Sequence, residues 1–440
     1  MRTKISAGDK IGSAKIAETA ARFFIGVLLA VWFYINYSTI CGLDFTANLL
    51  QAKSLADSGR FFQNFSAGSI NLTNLLIYAP LFKLSSSFAL TRAVGRLITQ
   101  VLLLLAYLFF TKQLGVKKPW HLWTACIFLL PLGADNYIFL MNNGLTYTLI
   151  LALFGLFLRL PLAANRAAQN IFYIVLAFLS GVCSFQLRFF NCAPQELFCR
   201  AGAFLIKSWQ FLGFYPGVKV FSLAGIFSLA SIVFGLLLFK LWREDKNKAA
   251  DPSAILPDFL AKALLFTLAV SVLTYQPYGG DQYPYFALFI FLAPFIALYF
   301  SKHGFQKPLL GGFLLLYLLL GGFYALDSYY KLARENTKIH APLAAFLSSS
   351  EYRFGYFASC YHRGRVIQEL TDGKVRLEPL NLYNSNTNTN WEPQWGTFVL
   401  IYNNCLSEYK THIYLRNSTQ LYSDGNYTLF TLNKPAGTAR

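Results

Sequence analysis

Acidic residues are scarce in this chain. Asp and Glu number 20 in 440 residues against 38 Lys and Arg, and the charged types together make up only 13%. A soluble domain carries about 25% charged residues, so this is not the composition of a soluble protein. Histidine is also rare, and His121, His303, His340, His362 and His412 are scattered, with no metal-ligand spacing among Cys and His. The net charge of +18 does not gather on a continuous basic face, which excludes nucleic acid as the partner. No small-residue cleavage site follows the first apolar run. Arg2, Lys4, Lys10, Lys15 and Arg22 therefore read as a cytoplasmic tail ahead of a permanent anchor. No internal repeat is apparent, against the expectation for an inverted-repeat transporter.

Apolar and aromatic residues dominate instead, at 55% and 17%, with a mean hydropathy of +0.42. Several runs reach the ~18–20 residues that cross a bilayer. With the tail (1–22) inside, spans are expected over about 23–40, 88–110, 120–133, 137–158, 170–189, 218–241, 259–276, 285–300 and 309–328. Every inner loop is then basic. The first outer loop covers about 42–86 and includes Ile70–Leu84, interrupted by Pro80. A full crossing there would make ten spans rather than nine and put the C-terminal region inside. A second outer segment, Asn191–Gly217, is aromatic and broken by Pro194 and Pro216.

From about 331 the composition turns polar and rich in turn formers. Ile339–Ser350 reads as a helix; Tyr356–Tyr361, Thr397–Tyr402 and Tyr427–Leu432 read as strands, with Asp424-Gly425 as a hairpin turn. The expected architecture is a polytopic α-helical membrane protein of about nine spans (23–330) with a small C-terminal α/β domain (331–440) on the outer face. Cys41, Cys126 and Cys183 lie in or beside apolar spans. Cys192, Cys199, Cys360 and Cys405 fall on the outer face, with Cys192–Cys199 and Cys360–Cys405 the natural pairings and free thiols the alternative.

The stretch Cys41–Gly59 organises the rest. Phe45, Leu49, Ala52 and Ala56 recur at helical spacing, predicting an amphipathic helix along the bilayer surface with Asp44 at its start. Asp44 is either an N-cap or a general base at the membrane boundary. Asp135, in Pro131-Leu-Gly-Ala-Asp-Asn-Tyr137, is a second outer carboxylate with the same two readings. Charge at membrane depth is costly. Arg92 and Arg96, four residues apart near the outer end of a span, either snorkel to headgroups or grip a lipid-borne phosphate. Arg188 and Lys83 are candidates of the same kind.

Three features together carry a resemblance: Asp44 with its loop helix, the run Tyr78-Ala-Pro-Leu-Phe-Lys83 leading to Arg92 and Arg96, and Gly133-Ala-Asp135-Asn-Tyr-Ile-Phe. Over roughly residues 20–190 the chain resembles the GT-C superfamily of membrane glycosyltransferases. The similarity is to the polyprenyl-phosphate-sugar branch, which includes protein O-mannosyltransferases and the lipid A aminoarabinose transferase. The resemblance implies an enzyme that moves a sugar, with inversion, from a polyprenyl phosphate to an envelope lipid, glycan or protein. It also implies a bacterial inner membrane, with the C-terminal domain extracytoplasmic. Asp44 would be the base, Asp135 would position substrate, and Arg92, Arg96, Arg188 and Lys83 would hold the donor phosphate. Phe45 follows Asp44 and Tyr137 stands two residues after Asp135, so the motifs give a divalent metal or other cofactor no support. Gln282-Tyr283-Pro284 stands where relatives often have Arg-Tyr. The rivals are a flippase or transporter of lipid-linked sugars, an envelope polysaccharide polymerase or ligase, and a non-catalytic scaffold.

Overall fold

The computed structural model describes residues 7–40, 43–58, 73–117, 120–130, 137, 140–141, 144–159, 167, 170–171, 221–246, 297–298, 301, 312, 315–316, 318–319, 322–358, 361–380, 394, 396–405 and 418–433. These form two compact units that interleave along the chain. The first comprises Met1–Tyr34, Phe65–Thr73 and Arg96–Tyr329; the second comprises Ile35–Asn64, Asn74–Gly95 and Tyr330–Arg440.

Three long helices run from one unit into the other: α1 (Ala7–Ser38), α4 (Phe88–Gln113) and α8 (Gly322–Ser349). Two stretches, Lys15–Ser38 of 24 residues and Phe88–Gln113 of 26, are long and apolar enough to cross a membrane. At 1.5 Å per residue they reach about 36 and 39 Å, against a hydrocarbon core of about 30 Å. The boundaries of α4 have local causes. Ser87 is its N-cap, its carbonyl accepting from Thr91 N–H at 3.0 Å and its hydroxyl from Leu90 N–H at 3.4 Å. Its C-terminus closes in a Schellman turn, with Val116 N–H donating to Thr111 O and Gly115 N–H to Lys112 O, both at 3.1 Å. That turn needs Gly115 at φ +72°.

The first unit also holds α5 (Trp120–Leu129), α6 (Gly144–Arg159) and α7 (Leu223–Lys246). Gly144 and Gly155 admit side chains where a Cβ would stand, Thr99 against the first and Phe109 against the second, so α4 and α6 approach closely. The spans expected at 170–189, 259–276 and 285–300 fall largely or wholly outside the described residues, as do Cys192, Cys199 and Cys360.

In the second unit α2 (Leu43–Ser58) is the predicted loop helix. Its stripe does bury Leu49, Ala52 and Ala56, but against protein. They pack with Tyr78, Ala79, Phe82 and Phe88, so this face is covered by side chains rather than laid on lipid. The covering segment is a π-helical turn, Asn74–Tyr78, continuing as α3 (Ala79–Leu84), with Pro80 just after the change from π to α. Their described residues together run for 11 residues, about 17 Å, against a hydrocarbon core of about 30 Å.

The C-terminal part of this unit is a five-stranded sheet in the order β2-β1-β3-β5-β4. The strands are β1 (Phe354–Phe357), β2 (Arg376–Pro379), β3 (Thr397–Tyr402), β4 (Gln420–Ser423) and β5 (Tyr427–Leu432). β1 lies parallel to β2 and β3, while β5 runs antiparallel to β3 and β4. The strand expected at 356–361 ends at Phe357 because the chain turns into α9 (Tyr361–Leu370), the crossover of a βαβ unit. One face of the sheet buries Phe357, Leu377, Phe398, Leu400, Tyr427 and Leu429 with Leu343 and Leu347 of α8 and Ile367 of α9. The other buries Tyr356, Val399, Ile401 and Leu432. Asp424 closes the β4–β5 hairpin, its Oδ1 accepting from Asn426 N–H and Tyr427 N–H, both at 2.7 Å.

Candidate functional site

Within the second unit the C-terminal segment ties down three helix ends. Residues of α8, α9 and the turn after α9 accept a hydrogen bond at each, in one case from an N–H that a helix start leaves without an intrahelical partner. Thr337 Oγ1 accepts from Ile40 N–H at 2.8 Å, just past the end of α1. Asp372 Oδ1 accepts from Phe88 N–H at 3.0 Å, at the start of α4. Glu369 Oε2 accepts from Thr46 Oγ1 at 2.6 Å, in the first turn of α2.

Glu369 also forms an ion pair with Arg92 of α4, the side chains being 1% and 3% exposed. The same guanidinium donates to two carbonyls at the end of α1: Nε to Asn36 O at 2.6 Å and Nη2 to Tyr37 O at 3.4 Å. Buried charges are tolerated when paired and hydrogen-bonded, and both partners here meet that condition. Arg92, expected to face a carrier phosphate, is therefore turned to a carboxylate of this chain and to the end of α1.

Asp44 occupies the second position of α2, two residues before Thr46, in a first turn where negative charge is favoured. Its side chain lies outside what is described. Lys83 is exposed in the last turn of α3, beside the helix C-terminus that a cation suits. Asp135 and Arg188 fall outside the described residues.

Within the first unit Arg96 is fully buried, and its Nη1 donates to the hydroxyl of Tyr329. Its guanidinium carbon lies 5.5 Å from the ring centre of Tyr137 and 6.0 Å from that of Tyr329. Both distances are in the range where a ring face attracts a cation. Trp32 stacks on Tyr137 at 3.8 Å and meets Tyr329 edge-on at 5.0 Å. Gln100, one turn along α4 from Arg96, donates from Nε2 to Tyr137 OH at 3.1 Å. Two rings from different segments thus lie beside one guanidinium, and Trp32 packs against both of them. Tyr137 is two residues beyond Asp135.

A third cluster lies in the C-terminal domain. His340 and Tyr427 share a 2.6 Å hydrogen bond between Nδ1 and the phenol oxygen. Burial, with help from the Arg363 charge, lowers the His340 pKa to about 4; Asp424 pulls the other way. Burial also pushes the Tyr427 phenol well above its usual range. Arg363 stacks over the Tyr402 ring at 3.8 Å. Among the described residues no group of three or more His, Cys, Asp or Glu side chains could hold a metal ion.

Sequence reasoning missed Glu369, Thr46, Thr337 and Asp372, along with the ring of Trp32, Tyr137 and Tyr329. A signal for Glu369 was present. It follows Val366 by one helical turn on the apolar stripe of α9, where a solvated carboxylate does not belong. No known family model matches the chain, and neither does any curated protein.

Proposed function

We propose that the protein is a membrane glycosyltransferase that moves a sugar from a polyprenyl phosphate to an acceptor hydroxyl at the outer face of a bacterial inner membrane. The observation that carries this reading is the construction around Asp44. The short helix it opens is built into one unit with the N-terminal end of α4 and the C-terminal domain, and a buried ion pair braces it. A surface helix that only coated the bilayer would need no such bracing.

Asp44 takes the proton from the acceptor hydroxyl. The oxygen attacks the anomeric carbon as the bond to the phosphate oxygen breaks, giving the inverted glycoside and polyprenyl phosphate; the proton passes from Asp44 to solvent. Asp135 orients the substrate. Arg96, with Arg188 and Lys83, offsets the charge that grows on the leaving phosphate. Arg92 is left out of that set, because its guanidinium is matched by Glu369. The acceptor is an envelope lipid, glycan or protein, and no step calls for a metal.

The test is transfer by the purified protein from a panel of radiolabelled polyprenyl-phosphate hexoses and pentoses. Asp44→Asn should abolish turnover and leave donor binding intact. Transfer from no donor, or full activity in Asp44→Asn, overturns the reading.

A further inference from the structure

We propose that Glu369, in the C-terminal domain, is a positioning residue for Asp44, and that this domain is therefore part of the site rather than an appendage to it. The inference deepens the transferase reading and rests on it for its catalytic half. The geometry is that of a clamp on both sides of one short stretch. Before Asp44, the Asn36 and Tyr37 carbonyls accept from Arg92, and Ile40 N–H is held by Thr337. After Asp44, the Thr46 hydroxyl donates to Glu369 at 2.6 Å. Glu369 and Arg92 are themselves paired, so the two anchor points share one buried junction. Thr46 is fully buried, and its hydroxyl donates to the Glu369 carboxylate. A carboxylate accepting from a hydroxyl makes a short, directional bond. Moving Glu369 or removing that hydroxyl frees the first turn of α2 to rotate, and a base about 1 Å out of place loses on the order of a hundredfold in rate.

The experiment compares Thr46→Val, which keeps shape and leaves the Arg92–Glu369 pair intact, with Thr46→Ser, which keeps the hydroxyl. Both are made in the full chain, in lipid nanodiscs. Two readouts are taken. Amide hydrogen exchange over residues 36–50 should quicken on the order of tenfold in Thr46→Val, stay at the wild-type rate in Thr46→Ser, and be unchanged in β3 and β5 of both. In the transfer assay Thr46→Val should lower kcat on the order of tenfold or more at an unchanged donor KM, with Thr46→Ser restoring it. Unchanged exchange in Thr46→Val overturns the clamp. Quickened exchange with wild-type kcat overturns the positioning of Asp44. Should the wild-type protein transfer no sugar, the transferase reading fails and takes the catalytic half with it, while the exchange comparison still decides the clamp.

Discussion

Breaking the buried ion pair between Arg92 and Glu369 should be among the costliest single changes in the protein, and removing both charges should not be. Glu369→Gln keeps an oxygen for Thr46 but strips the counter-charge from a guanidinium 3% exposed. An uncompensated buried charge of this kind costs about 3–5 kcal/mol. Arg92→Met leaves the carboxylate with the Thr46 hydroxyl and removes the donor from the buried bond to Asn36 O, worth about 1–3 kcal/mol, along with the longer, part-exposed bond to Tyr37 O. In the double variant Arg92→Met/Glu369→Gln no charge is stranded, and Thr46 keeps an oxygen acceptor. The carbonyl cost remains, at roughly 1–3 kcal/mol. The cycle should therefore show a coupling of about 3 kcal/mol or more between the two positions. The assay is thermal unfolding of the four proteins in one detergent, followed by intrinsic fluorescence, with limited proteolysis within α2 as a local readout. A double variant whose loss equals the sum of the single losses would refute the argument, as would a Glu369→Gln protein as stable as the wild type.

Other outcomes are equally checkable. An alanine Cβ at Gly95 would stand 2.2 Å from a ring carbon of the buried Tyr78, so Gly95→Ala should destabilise by about 1–3 kcal/mol, read as a lowered unfolding temperature. His340 carries a folded pKa of about 4, below the unfolded value near 6.5, so the unfolded chain binds more protons between those values. Stability of the C-terminal domain should thus fall as pH drops from 6.5 towards 4, by up to roughly 3 kcal/mol, and level off below. Denaturant unfolding at pH 7 and pH 4.5 checks this, with His340→Phe expected to flatten the profile. Asp372→Ala removes the acceptor for Phe88 N–H and should cost about 1 kcal/mol, seen as faster amide exchange at the start of α4. Arg96→Lys replaces the planar guanidinium beside the Tyr137 and Tyr329 rings with an ammonium; it should raise the donor KM more than Asp44→Asn alters donor affinity.

Local pattern was readable from sequence wherever one residue type repeats at one period. Strands Thr397–Tyr402 and Tyr427–Leu432 occupy the residues expected of them, because both are built of β-branched, aromatic and other apolar residues between turn formers. The stripe Leu49, Ala52, Ala56 was legible as a buried helix face, yet nothing in it says whether lipid or protein will cover it. β2 and β4 were not read from sequence because they are only four residues each, too short for an alternation such as Arg376-Leu377-Glu378 to stand out. The partner of Arg92 was out of reach for a different reason. Charge pairing has no period, and the carboxylate that meets this guanidinium belongs to a helix at the far end of the chain. The aromatic surroundings of Arg96 were hidden likewise, since Trp32, Tyr137 and Tyr329 are joined only by the fold.

The bond from Thr46 to Glu369 spans 323 residues. At roughly 5–20 residues per second, a ribosome needs on the order of half a minute to make that stretch. For all that time the earliest helices wait with open ends and one arginine lacks its carboxylate. A nascent chain halted before α9 would carry that defect permanently, and a quality-control protease that senses an exposed guanidinium or a loose first loop could tell finished molecules from stalled ones. Release of the last hundred residues, rather than entry of the first helix, is then the event that commits this protein to its final shape.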